Sequence, residues 1–170
     1  MPSYYIHMDQ GLVADLRNHE LSSGQFSSCA PIVLYNDETH HGALYHLGGC
    51  DELDELKISH LRLLKTIVRP TVVYVLCGGG SFNMATMGMD LARGHVAPVS
   101  ALFQDVTVRT SFNGVSTYMA ITVSEVAGAL DIASQYSFDN ALKTAAAIDA
   151  LPAGITFVGE RSDAALAKWA

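Results

Sequence analysis

The chain has 170 residues, 49% of them hydrophobic and 16% charged, with ten Lys and Arg against seventeen Asp and Glu for a net charge of −7. That acidic balance argues against nucleic acid or an anionic membrane as the main partner. No apolar stretch approaches the roughly eighteen residues of a membrane span, so a single domain with a substantial core is expected.

Tyr4 to Met8 reads as a short strand, and Asp9 to Glu20 is polar and ambiguous. Ser22 to Ser28 is small and polar and reads as loop. Ile32–Asn36 and Ala43–Leu47 form a hairpin about a polar turn from Asp37 to Gly42. Asp51 to Thr66 reads as helix, capped by Asp51 or Asp54, with Leu53, Leu56, Leu61 and Leu64 as its stripe. Thr71 to Cys77 is a near-continuous apolar run, expected as a buried strand, and it leads straight into Gly78-Gly79-Gly80. Val96 to Gln104 reads as helix, with Pro98 in its first turn. Val106 to Phe112 and Val115 to Val123 alternate on either side of Asn113-Gly114, a strong hairpin signal. Ser124 is expected to cap a helix to Ser134, and Asp139 an Ala-rich helix ending before Pro152. Gly154–Val158 reads as a last strand and Ser162–Trp169 as a last helix.

These elements specify an α+β fold with mixed, largely antiparallel sheets and helices packed outside; a two-layer β-sandwich is one arrangement that fits. The whole chain, 1–170, reads as one domain, with residues 124–170 as an added helical extension. The polar start MPSYYIHMDQ is unlike a signal peptide. Cys29, Cys50 and Cys77 form no CxxC pair. An odd, sparse set of cysteines fits reduced thiols in a cytoplasm. The sequence carries no signal of oligomeric state.

Cys29 and His46 lie seventeen residues apart and bracket the first hairpin. An imidazole beside a thiol activates it as a nucleophile. The competing reading is a buried, inert cysteine, the commoner fate of this residue type. Strand parity bears on the choice. A turn centred near Thr39 sets His46 opposite Ile32, three positions from Cys29, and an odd offset sends the two side chains to opposite faces. Pro31 interrupts the ladder, so Cys29 is expected in a loop entering the strand.

Other motifs are weaker. Gly78-Gly79-Gly80 lacks the Lys-Ser/Thr of a phosphate loop and reads instead as a site of close backbone approach lining a pocket near Cys29. His40, His41 and His46, with Asp37 and Cys50, match no zinc spacing, so no metal is expected, and His40 and His41 read as a solvated turn. There is no GxSxG. A hydroxyl from Ser22 or Ser23 could orient the imidazole.

The run Leu21-Ser22-Ser23-Gly24-Gln25-Phe26-Ser27-Ser28-Cys29, then Asp37, then Gly42-Ala43-Leu44-Tyr45-His46-Leu47, resembles the CheD family of bacterial chemoreceptor glutamine deamidases. The catalytic domain of cytotoxic necrotizing factor shares that cysteine-hydrolase fold. The family pattern is a Thr, a Gly-rich stretch ending Gly-Ser-Cys, and a Gly-Ala-x-x-His with its His seventeen residues after the Cys. Gly78-Gly79-Gly80-Ser81 is similar to a later Gly-Gly-x-Ser. The resemblance covers roughly residues 4 to 123. It implies Cys29 as nucleophile, His46 as general base and Ser23, beside Ser22, in the place of the family's Thr. It also implies an oxyanion and pocket region at Ser28, Gly78, Gly79 and Gly80. Ser27 stands where the family has Gly.

The function expected on this basis is hydrolysis of a carboxamide, with a protein glutamine side chain as substrate and no cofactor. Two alternatives stand beside it: a non-catalytic regulatory module of the same fold, and a thiol hydrolase acting on a small-molecule amide.

Overall fold

In the computed structural model, residues 1–26, 29–48, 53–78, 94–134 and 151–159 are described. Among the described residues, two main sheets, a two-stranded ribbon and two helices make up the body. The first sheet has four strands in the order β1 (Ser3–Ile6), β3 (Glu20–Gly24), β10 (Ala120–Val126), β11 (Ala129–Ser134). The second has six, in the order β12 (Thr156–Gly159), β2 (Gln10–Asp15), β5 (His41–Leu47), β4 (Ala30–Tyr35), β6 (Val72–Val75), β8 (Thr107–Arg109). A two-stranded ribbon joins β7 (Cys77–Gly78) to β9 (Thr117–Tyr118). Among the described strands, only β1–β3, β6–β8 and β7–β9 pair in parallel. The fold is α+β with mixed, largely antiparallel sheets, as the sequence predicts.

Alternation along the strands divides the core in two. Val33, Tyr35 and Leu44 of the larger sheet meet Ile6, Leu21, Ile121 and Val123 of the smaller one. The opposite face of the larger sheet, with Ile32, Leu34, Ala43, Tyr45 and Leu47, packs under Leu61, Leu64, Val68 and Val99 of the helices. The helices are α1 (Glu55–Val68) and α2 (Val96–Leu102). Asp54, one of the two expected caps, accepts the Lys57 N–H at 2.8 Å. The buried stripe runs through Lys57, His60, Leu61, Leu64 and Val68, while Leu56 is exposed. No described helix is long and apolar enough to cross a membrane.

Three expectations need correction. The helix over 124–134 is instead a hairpin, with β10 and β11 joined by Ala127 and Gly128 at φ 52° and 81°. Those two left-handed residues make the tight turn that matches strand twist, and β12 is a strand too, so the described part of 124–170 is not helical. The Ala-rich and last helices fall outside the described residues. Second, the Asn113-Gly114 turn forms, with reciprocal bonds between Phe112 and Val115, but its strands part at once. β8 pairs with β6, β9 with β7 and β10 with β3; burial between sheets outweighs the local hairpin. Third, Ser22 and Ser23 lie in β3 rather than a loop. Their buried hydroxyls donate to the carbonyls of Tyr4 at 3.4 Å and Ile6 at 2.7 Å, so the strand carries polar side chains into the core without leaving them unpaired.

Candidate active site

The β4–β5 hairpin sets the site. Its loop closes between Asn36 and His41, with His40 in the left-handed region at φ 62°. The ladder therefore pairs Pro31 with His46 and Ala30 with Leu47. His46 is not opposite Ile32; the register differs by one residue from the turn expected about Thr39. Cys29, two residues before Pro31, thus shares a face with Pro31 and His46. Both residues point between the sheets, at the end where β4 begins and β5 finishes.

Ser23 reaches the same place from the other sheet. Its Oγ lies 2.8 Å from His46 Nδ1 and 2.7 Å from the Ile6 carbonyl oxygen. A hydroxyl has one proton, and a carbonyl only accepts. The arrangement that satisfies both contacts has Ser23 donating to Ile6 and His46 Nδ1–H donating to Ser23. Nε2 then carries the lone pair. Ser22, one position away in β3, bonds instead to Tyr4, which resolves the choice of hydroxyl in favour of Ser23.

Neighbouring groups hold the imidazole and its backbone in place. Phe26 stacks on it with ring centroids 4.3 Å apart at 35°. The Asp9 N–H donates to the His46 carbonyl at 2.6 Å. His46 is 4% exposed, and its Nε2 has no hydrogen-bond partner among the described residues. Burial, helped by a like-charge effect from His7, pulls its pKa down to about 3. The ring is neutral at physiological pH. A buried lone pair without a partner is costly in a folded protein, so this nitrogen, unpaired among the described residues, marks His46 as a candidate functional group.

Cys29 is buried at 8% exposure, and its Sγ lies 4.0 Å from Met8 Sδ. Cys77, by contrast, belongs to the core beneath the helices, on the other side of the larger sheet. Gly78 is buried in β7, the ribbon strand that follows β6; just before it, the Leu76 N–H donates to the Pro31 carbonyl at 3.0 Å. This brings the chain entering the triple glycine alongside the start of β4. Ser28, Gly79 and Gly80 lie outside the described residues.

Two cavities formed by described residues lie elsewhere: one of about 700 Å³ between α1 and α2, and one of about 260 Å³ beside Tyr35 and Tyr74. Neither includes Cys29, His46 or Ser23.

A second polar cluster escaped sequence reasoning. The Glu125 carboxylate, with its side chain 3% exposed, accepts the Tyr35 hydroxyl and the His40 Nδ1–H, the latter at 2.7 Å. Burial and the adjacent carboxylate push the Tyr35 phenol well above its usual range. His40 is therefore tied to β10 rather than solvated in a free turn. No short-range signal could reveal a contact between residues eighty-five positions apart. Among the described residues no cluster of His, Cys, Asp and Glu is placed to hold a metal ion.

No protein-family model matches the chain, and no curated protein is significantly similar to it in sequence.

Proposed function

We propose that this protein is a cysteine-dependent amidohydrolase that deamidates glutamine side chains of a protein substrate. The observation that carries the reading is the His46 imidazole. Its Nδ1 is fixed by Ser23, its Nε2 is buried with no partner among the described residues, and the hairpin register puts it on the same face as Cys29. The resemblance to the CheD family in the Cys29 and His46 segments supports the same assignment and narrows the amide to glutamine.

The thiol gives its proton to His46 Nε2 as its sulfur attacks the carboxamide carbon. Burial keeps the imidazole neutral and able to accept this proton, but it also weakens the base, so the imidazolium forms only as negative charge develops beside it on the substrate. The Cys29 backbone N–H is the donor for the developing oxyanion in this scheme. His46 Nε2–H passes the proton to the departing nitrogen, and ammonia leaves with a thioester on Cys29. Water, deprotonated by the same Nε2, attacks the thioester; the carboxylic acid leaves and Cys29 recovers its proton. Throughout, Ser23 keeps a proton on Nδ1, so that Nε2 is the atom that takes and returns the proton.

The test is to catch the thioester. Acid quenching during turnover should show an enzyme–substrate adduct on a denaturing gel. Hydroxylamine should dissolve the adduct, and Cys29→Ala should abolish it. An adduct formed equally by Cys29→Ala would end the reading.

A further inference from the structure

The turn between β1 and β2 lies over the thiol, and its construction is specific. His7 and Gln10 close it through Gln10 N–H to the His7 carbonyl and His7 N–H to the Gln10 side chain, both at 3.1 Å. Asp9 sits in the left-handed region at φ 59°. Its N–H donates to the His46 carbonyl at 2.6 Å, and its carboxylate accepts the Gly48 N–H at 2.8 Å. Two bonds thus pin the turn to the end of β5. Met8, one residue earlier, lies across Gly48 and brings its sulfur to 4.0 Å from Cys29 Sγ. A Cβ on Gly48 would stand 2.6 Å from Met8 Cγ and 2.8 Å from its sulfur, so the glycine is what lets Met8 down onto the thiol. Two hydrogen bonds anchor the backbone of this cover, whereas Met8 is 57% exposed and its unbranched side chain has three rotatable bonds.

We propose that Met8 is a specificity-determining gate over Cys29, admitting an unbranched side chain of about its own length. The inference rests on Cys29 being the nucleophile of the proposed reaction. Asp9 holds the turn in place, so the Met8 side chain, and not the backbone of the turn, is what moves off the sulfur. A methionine side chain has the length and unbranched shape of a glutamine side chain, so glutamine can follow the path Met8 vacates to the sulfur. Asparagine is one methylene too short, and a branched or aromatic amide is too wide.

The gate can be read without turnover. The full chain is labelled at neutral pH with iodoacetamide, which is slender, or with N-phenylmaleimide, which is wide. Modification of Cys29 is followed by peptide mass spectrometry, with rates normalised to the same reagents on glutathione. Wild type should favour the slender reagent. Met8→Ala should raise the normalised maleimide rate about tenfold, as expected for removing one side chain from the path, with a much smaller gain for iodoacetamide. Met8→Gln, which keeps length and shape, should retain the wild-type preference. Met8 is exposed, so both variants should fold, and circular dichroism checks this. An unchanged size preference in Met8→Ala overturns the gate, as does a Cys29 that neither reagent labels in either protein. Loss of the preference in Met8→Ala, alongside a wild type that releases no ammonia, supports the gate and sinks the deamidase reading.

Discussion

Pro31 and His46 are register partners across the β4–β5 ladder, and through that pairing Cys29 and His46 come to share a face. A slip of one residue would turn one of them into the helix-covered core and leave no site.

Ser23 should matter through the tautomer it fixes. Ser23→Ala removes the acceptor of His46 Nδ1–H, and with one neutral hydrogen bond lost kcat/KM should fall by about 1 kcal/mol, roughly fivefold. Ser23→Thr keeps the hydroxyl on a strand position and should recover most of the rate. Equal losses in both variants would remove the orienting role.

Acid should unfold the protein in part through His46. Its folded pKa, about 3, lies below the unfolded value of 6.5. Below 6.5 the unfolded state therefore binds more protons, and stability falls as pH drops toward 3. The slope is at most about 1.4 kcal/mol per pH unit. Urea unfolding between pH 7 and pH 5, above the carboxylate range, should show this loss, and His46→Gln should flatten it. A His46→Gln curve parallel to wild type would contradict the assignment.

Glu125 ties β10 to the far end of the hairpin. Glu125→Ala strands the Tyr35 hydroxyl in a buried site and frees His40, so it should cost about 1–3 kcal/mol in urea unfolding. Tyr35→Phe should cost less, since the carboxylate keeps His40. The labelling rate of Cys29 in the folded protein should not change in either variant, because this cluster and the thiol lie at opposite ends of β4.

Gly42 opens the Gly-Ala-x-x-His segment, and its packing explains the residue. A Cβ there would collide with Leu16 Cδ1 and stand 3.0 Å from the Leu34 carbonyl oxygen. Gly42→Ala should destabilise by about 1–3 kcal/mol through overpacking. A melting temperature equal to wild type would contradict the close approach.

The parts of this fold legible in the sequence are those written locally. The first hairpin, helix α1 with its Asp54 cap, helix α2 and the last strand all follow from alternation, capping and turn residues. What the sequence conceals is which partner each strand takes. Asn113-Gly114 makes its turn, yet β8 and β10 pair with β6 and β3, because sheet burial decides between competing ladders. Ser124–Ser134 contains helix-compatible residues, and only the Ala127-Gly128 turn reveals the hairpin. Cys29 and His46 were legible as a pair, but their shared face depended on a register one residue away from the expected turn. Ser23 was legible as a hydroxyl near the cysteine, not as a strand residue of the opposite sheet. Met8 carried no signal, because a methionine near a chain start announces nothing until the fold lays it over the thiol.

The most direct test of the account is deamidation itself. A glutamine-containing protein substrate is incubated with wild type, Cys29→Ser, His46→Ala and the double variant, and ammonia release is read alongside peptide mass. Wild type should release ammonia and add about one dalton at glutamine, the exchange of a carboxamide for a carboxylic acid. Each single variant should lose this activity while keeping its fold, and the double variant should lose no more, since nucleophile and base act as one unit. Equal deamidation by wild type and Cys29→Ser would contradict the claim.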